Sequence, residues 1–208
     1  MAHTVDNPAP ARERILDTAS ELFYRDGFRA VGIDTIIGRS GVAKMTLYYH
    51  FPSKDELIAA YLERSNERFW AWLDEAIADA EAPRAKLIAL FEAVAELATS
   101  PECLGCTFQG TAAEFPDTRL PAHRVAQAHK RSVLGRLRAL AAQAGAADPD
   151  DLARALLLLM DGAFAAARMF GRRESPAASV ARAAQALVDA HLAGGTQRRR
   201  LAPNPDAR

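Results

Sequence analysis

The stretch Val31–Lys54 reads VGIDTIIGRSGVAKMTLYYHFPSK, and its pattern decides the fold of the N-terminal part of the chain. A short run with helical apolar spacing, Ile33–Ser40, stops at Gly41, and a second run covers residues Ala43 to His50. Two short helices around one glycine are typical of a helix-turn-helix, whose second helix presents its first residues to the major groove. Gly41 suits the turn because it has no Cβ that would clash at positive φ.

The second of these predicted helices carries an unusual number of hydrogen-bond donors. Five of its side chains are able to bind phosphate oxygens: Lys44, Thr46, Tyr48, Tyr49 and His50. Leu47 and Phe51 lie four residues apart, and we expect them to anchor the helix on a core. The alternative is a small helical bundle whose polar face is merely solvated.

The rest of the chain also has helical patterning. It contains 45 alanines and lacks the alternation of β-branched and aromatic residues that strands require. One helix is predicted from Ala11 to Asp26 and ends at Gly27. A long helix begins at Ser53, where Ser53 and Glu56 form a capping box, and extends towards Pro83. Five further patterns are predicted to form helices near residues 87–98, 106–115, 125–140, 150–170 and 180–192. We therefore predict an all-α protein of about nine helices.

A family resemblance rests on two continuous segments. GVAKMTLYYHFPSKDELI, residues 41–58, resembles the signature of the TetR family of tetracycline-repressor-like bacterial transcription regulators, and LFYRDGFRAVGID, residues 22–34, resembles the start of that family's domain. The likeness covers about residues 11–60. It implies a three-helix DNA-binding domain, a larger helical domain that dimerises, and a small-molecule effector that releases the protein from its operator.

The predicted division of the chain follows from this resemblance. We expect a helix-turn-helix domain at 11–52 and an effector-binding and dimerisation domain at 53–193. The N-terminal arm, 1–10, and the tail, 194–208, are predicted to be disordered, the tail because Gly194 and Gly195 should end the last helix and the remaining composition does not fold.

The resemblance also assigns roles to individual residues. The positions that face bases in the family fall at Asp34, Thr35, Lys44 and Met45. The positions that mostly touch phosphates fall at Thr46, Tyr48, Tyr49, His50 and Lys54. This sequence departs from the family pattern at Gly32, where a Ser or Thr commonly caps the first short helix, and at Gly38 inside that helix.

Charge and composition limit the partners and the location of the protein. The chain has 26 Lys and Arg against 26 Asp and Glu, and residues 1–60 have seven basic against eight acidic side chains. Binding to DNA therefore requires a local patch, with the acidic side chains on another face. No apolar run approaches the roughly 20 residues needed to cross a membrane, and the N-terminus has no secretion signal, so we expect a cytoplasmic protein.

Helix-turn-helix proteins usually bind as two-fold dimers, so some surface of the chain must pair. We expect it on the last two helices, where small residues permit close approach. The candidates are Leu156, Ala163, Ala167, Val180, Ala184 and Leu187. The alternative is that these residues pack only within one chain.

The large apolar side chains of the C-terminal region are candidates for an effector pocket. They are Trp70, Phe91, Phe108, Phe115, Met160 and Phe164. A filled interior remains the alternative for each of them, because one sequence does not separate a pocket wall from a core.

The sequence was also searched for zinc-binding, thiol and catalytic motifs. Cys103 and Cys106 form a C-x-x-C pair, but there is no second pair for structural zinc and no thioredoxin-type setting, which leaves a thiol sensor as an open alternative. No motif of nucleophilic, metal or phosphate-binding catalysis occurs, so we predict neither an enzyme nor a cofactor. Two functions remain: a DNA-binding regulator, or a ligand-binding helical protein that does not bind DNA.

Overall fold

The computed structural model describes residues 9–201, without the side chains of residues 172, 173 and 194–201. Within this range all regular secondary structure is helical, as predicted. The helices are α1 Ala11–Asp26, α2 Ile33–Ser40, α3 Lys44–His50, α4 Lys54–Ala76, α5 Pro83–Ala98, α6 Thr107–Glu114, α7 Pro121–Gln143, α8 Pro149–Glu174 and α9 Val180–Leu201, with a 3-10 helix at Pro176–Ser179. Across the same residues, every helix is either too short or too polar to span a bilayer.

The chain folds into two compact units. Unit 1 contains the residues up to Glu67 together with Thr107–Ala126, and unit 2 contains Arg68–Cys106 and the residues from Gln127 onward. The predicted functional division at residue 52 therefore differs from the division by packing, and it stays a prediction.

The core of unit 1 is built on α1. Its apolar residues Ile15, Leu16, Ala19, Leu22 and Phe23 recur at three- and four-residue steps, and all five are buried. Both short helices, α2 and α3, pack against this helix and against each other. Burying one apolar stripe on α1 is therefore what fixes the helix pair that follows it.

The core of unit 2 is formed mainly by α5, α8 and α9, which pack against one another. Helix α8 begins as predicted, because the Asp148 side chain accepts a hydrogen bond of 3.0 Å from the Asp151 N–H and Pro149 occupies the first turn. Fully buried Leu152 and Leu156 then carry its inner face into the core.

Two predicted helix ends are wrong. Helix α4 stops at Ala76 rather than near Pro83, because Ala78 and Ala80 donate to the carbonyls of Glu75 and Ile77, three residues back, and this tightens the chain into a turn. Helix α9 does not stop at Gly194 but continues to Leu201. The two glycines cost helix stability, but the strong helix formers after them carry the helix on. Residues 1–8 and 202–208, which hold most of the predicted arm and part of the predicted tail, lie outside the described residues.

Candidate DNA-binding surface

Helix α3 is held by two anchors and leaves the rest of its surface open. Leu47 is fully buried and Phe51, just after the helix, is 3% exposed, which confirms the predicted anchors. The opposite side carries Met45 and Tyr49, which are 79% and 83% exposed. Helix α3 therefore buries one leucine and leaves two large side chains facing solvent.

The remaining predicted contact residues of α3 differ in exposure. Lys44 and Tyr48 are exposed, whereas Thr46 and His50 are half-buried. The ring of His50 packs edge-on against that of Tyr49, with the centroids 5.1 Å apart. Lys44, Met45, Tyr48 and Tyr49 therefore form the open side of α3, and Thr46 and His50 lie at its border with the buried side.

The start of α2 adds the other two predicted base-facing residues. Asp34 and Thr35 are both exposed, while Ile36 beside them is fully buried. The Lys44 Nζ lies 3.3 Å from the Asp34 Oδ1. The structure thus brings the start of α2 close to the start of α3 and pairs a charge of each, whereas the base-facing role implied by the resemblance stays a prediction.

The turn between α2 and α3 is fixed by a residue that sequence reasoning missed. Gly41 has φ 64° and ψ 31°, the left-handed conformation expected of it. The Arg14 guanidinium donates to the Ser40 carbonyl at 2.8 Å and to the Gly41 carbonyl at 2.9 Å. A positive charge at the C-terminal end of α2 also complements the helix dipole. No local pattern points to Arg14, because its partners lie on another helix.

A second missed contact holds the connection between α1 and α2. The Glu114 carboxylate, at the end of α6, accepts hydrogen bonds from the N–H groups of Phe28 at 3.0 Å and Arg29 at 2.9 Å. The Lys54 Nζ donates to the Phe28 carbonyl at 2.6 Å. We call these three hydrogen bonds the Phe28 clamp. The predicted phosphate contact of Lys54 stays a prediction, since an ammonium group has two further donors.

Comparison with known proteins identifies this arrangement. A family model described as "Bacterial regulatory proteins, tetR family" matches residues 15–61. A crystal structure of a TetR-family transcriptional regulator from Streptomyces coelicolor is 34% identical, with a TM-score of 0.80 over 89% of this chain and 96% of that chain. A putative regulator of the same family from Streptomyces avermitilis is also 34% identical, with a TM-score of 0.76 over 88% of this chain and 98% of that chain. This chain belongs to the TetR family.

Named relatives match only part of this TetR-family chain. The transcriptional activator FasR of Mycolicibacterium smegmatis is 39% identical over 82 residues, 39% of this chain and 37% of FasR. The transcriptional regulator UidR of Escherichia coli is 38% identical over 68 residues, 33% of this chain and 35% of UidR. The matched segments span about a third of these regulators. Family members are DNA-binding transcriptional regulators and not enzymes, as the sequence predicted.

The acidic residues of this TetR-family protein's α1 are largely neutralised. Arg64 pairs with Glu13 and Asp17, and Glu21 and Asp26 pair with arginines of the same region. With Asp34, which pairs with Lys44, five of the eight acidic residues in the first 60 have an ion-pair partner. Arg64 lies outside the first 60 residues, so it adds a positive charge beside this net-acidic segment.

The predicted pocket residues of the TetR-family chain do not form a single group. Phe91, Met160 and Phe164 are core residues of unit 2, and Trp70 packs against that core. Phe108 and Phe115 belong to unit 1, where Phe115 lines a cavity with Ile58, Leu62 and others. An effector role for any of the six stays a prediction.

The predicted dimer residues of the TetR-family chain are mostly buried in a single chain. Five of them are at most 5% exposed: Leu156, Ala163, Ala167, Val180 and Ala184. Leu187 is partly buried against the same core. This packing agrees with the alternative that these residues pack only within one chain, and their role in a dimer stays a prediction.

The two cysteines of the TetR-family chain are free thiols, Cys103 buried and Cys106 partly buried. Among the described residues, no three His, Cys, Asp or Glu side chains cluster closely enough to hold a metal ion.

Proposed function

We propose that this regulator binds a palindromic operator as a homodimer through α3 and is released by a small-molecule effector. The observation that carries the proposal is the exposure of Met45, Tyr48 and Tyr49 on a helix anchored by Leu47. In a helix-turn-helix this face enters the major groove, and the family to which the chain belongs binds DNA.

Recognition divides between bases and backbone. Lys44 and Asp34, with Thr35 and Met45, are proposed to face base edges, whereas Thr46, Tyr48, Tyr49, His50 and Lys54 are proposed to contact phosphates. The Asp34–Lys44 pair is exposed on both sides, so opening it for DNA costs at most about 1 kcal/mol.

A different face of α8 is the proposed dimer surface. Leu158, Gly162, Ala165 and Met169 are all exposed and follow one another at steps of four, three and four residues. This spacing puts them on one side of the helix, with large residues at the ends and small residues between. Small residues in the middle let the axis of a second helix approach closely, which suits packing against the same face of a second copy.

Release by an effector requires two states that differ in affinity for DNA. Helix α4 is continuous from Lys54, which holds the Phe28 carbonyl, to Ala76 in unit 2. We propose that a ligand displaces α4 and thereby the helix pair. A hundredfold loss of affinity needs about 2.7 kcal/mol of differential binding, which is within the ordinary range of allosteric coupling.

The direction of control is proposed to be repression, in which the bound dimer blocks transcription. FasR is named an activator, so activation is a second candidate. In vitro transcription from a promoter that carries the selected operator separates the two, because adding the protein lowers the transcript level in the first case and raises it in the second.

The test of the proposed function is selection of bound duplexes from a random pool by the full chain. The expected product is an inverted repeat whose half-sites are about 34 to 36 Å apart, one helical turn, or a multiple of this distance. Enrichment of a single unrepeated half-site would contradict the dimer, and no enrichment at all would leave a ligand-binding protein without DNA function.

A further inference from the structure

Unit 1 contains a small apolar cavity that the proposed DNA contacts do not use. It has a volume of about 110 Å³ and lies at the start of α4, beside the segment that joins α6 to α7. Leu62 and Ile58 are buried and form its floor, whereas Leu120 and Val125 are each 39% exposed and form its rim. A closed apolar cavity of about 150 Å³ takes up benzene. This one is smaller but has an exposed rim, so it can hold one small ring whose edge extends towards solvent.

The charge at the cavity narrows the chemistry of its occupant. Asp55 is the one charged residue among those that line the cavity. It is exposed and makes no ion pair with any described residue. A ring bearing a short ammonium arm would bury the ring against Ile58, Leu62 and Phe115 and leave the cation near the carboxylate.

The cavity adjoins the Phe28 clamp through two pairs of sequence neighbours. Asp55 lines the cavity, and Lys54 before it donates to the Phe28 carbonyl. Phe115 lines the cavity, and Glu114 before it accepts from the Phe28 N–H. The Phe115 ring also packs on the Phe28 ring, with the centroids 5.5 Å apart. A molecule in the cavity therefore touches the immediate neighbours of both groups that hold this connection.

We propose that the cavity is a binding site for a small hydrophobic amine, and that its occupation alters the Phe28 clamp. This inference rests on the proposed function, of which it would be the effector site. The Phe28 clamp fixes the backbone of the connection between α1 and α2, and α2 carries Asp34 and Thr35. An amine that alters the clamp would therefore change the position of α2, only a few residues along the chain.

The experiment is a titration of the full chain with benzylamine, without DNA, followed by amide NMR. The Val125 amide reports the cavity, and the Phe28 and Arg29 amides report the clamp. We expect all three to shift along one saturation curve. Benzyl alcohol, which has nearly the same shape but no charge, should bind about two- to fivefold more weakly, as expected for an exposed ion pair.

Two variants, each with a matched control, locate the site. Ala59→Leu places a larger side chain at the cavity and should abolish the shifts, whereas Ala71→Leu, at an exposed position of the same helix outside the cavity, should retain them. Asp55→Asn should remove the preference for benzylamine over benzyl alcohol, and Glu63→Gln, also on α4, should leave that preference unchanged.

Three outcomes would overturn the proposal: no saturable shift at Val125, saturation unaffected by Ala59→Leu, or a shift at Val125 with none at Phe28 and Arg29. Because DNA is absent from the measurement, failure of the operator selection would leave these results unaffected, and the two proposals fail separately.

Discussion

At the scale of single residues, the glycine at position 27 accounts for the close approach of the Glu114 carboxylate. Gly27 has φ +84°, and a Cβ built on it would lie 2.7 Å from the Glu114 Oε1. The glycine therefore permits both a backbone conformation that other residues rarely adopt and the close approach of the carboxylate that holds Phe28 and Arg29.

Gly27, in this connection, and Gly38, inside α2, should respond oppositely to alanine. Gly27→Ala should lower the free energy of unfolding by about 1 to 3 kcal/mol, because it adds backbone strain and a clash. Gly38→Ala, inside α2 with nothing within 4 Å of the added Cβ, should raise it by about 0.5 to 1 kcal/mol. Urea denaturation measures the free energy of unfolding of both variants. Equal changes in the two would contradict a close approach of Glu114 to Gly27.

Lys44 tests whether α3 reads bases. Lys44→Ala should weaken operator binding by about 1 to 3 kcal/mol if the side chain contacts a base edge, and the loss should disappear on operators altered at that base. Arg131→Ala, which removes an exposed cation from α7, is the control and should change operator affinity little. Fluorescence anisotropy on a panel of single-base operator variants is the measurement, and an equal loss on every sequence would indicate a phosphate contact instead.

His129 should make stability depend on pH. It is buried beside Phe69, with ring centroids 4.7 Å apart, and burial lowers its pKa to about 3, with the charge of Lys130 adding to the effect. The folded protein therefore keeps His129 neutral, while the unfolded chain protonates it below its ordinary pKa near 6.5. The stability that neutral His129 gives the folded state is therefore fully present above pH 6.5 and is lost as the pH falls towards 3. Between pH 6.5 and 4.5 the free energy of unfolding, measured by urea denaturation, should fall by about 2 kcal/mol more in the wild type than in His129→Gln.

His191 provides a control of opposite sign for that measurement. A hydrogen bond to the Leu187 carbonyl, with further help from Asp151, raises the pKa of His191. The stability that protonated His191 contributes is therefore present below its pKa in the unfolded chain and is lost as the pH rises through its pKa in the folded protein. His191→Gln should destabilise the protein more at pH 5 than at pH 8. The same pH trend in both variants would contradict these assignments.

At the scale of elements, the sequence predicted the features that depend on neighbouring residues in the chain, such as helix anchors, turns and caps. Leu47 and Phe51 were identified by their spacing, Gly41 by its turn, and Asp148 by its capping position, and all are found as predicted. Arg14 and Glu114 were not identified, since their partners lie 26 and 86 residues away in the chain. The dimer residues stay a prediction, because an alanine-rich helix has the same pattern whether it faces a core or a second chain.

The exposed face of α8 carries the prediction for assembly. Leu158→Glu and Met169→Glu, both at strongly exposed apolar positions, should convert a dimer to a monomer while leaving helix content and melting of the single chain nearly unchanged. Arg182→Glu, on the exposed side of α9, is the matched control. Sedimentation velocity measures the mass, and a dimer that survives both α8 substitutions would place the interface elsewhere.

At the scale of the whole molecule, the packing division is not the one that helix order suggests. Unit 1 includes Thr107–Ala126 from the middle of the chain, because Glu114 and Phe115 contact the connection after α1. The boundary after residue 52 was predicted from the family resemblance, and no pattern within one segment encodes a contact with a distant one. The unit that carries α3 thus also includes α6, a helix that the sequence assigned to the effector domain.

Contact between the exposed face of α3 and DNA is tested by the equilibrium affinity of the full chain for its selected operator. This affinity is compared with that of the Tyr48→Ala and His50→Ala double variant, with folding checked by thermal melting. We expect the double variant to bind at least about tenfold more weakly, equivalent to about 1.4 kcal/mol, with melting nearly unchanged. Wild-type operator affinity in a folded double variant would show that this face does not contact DNA.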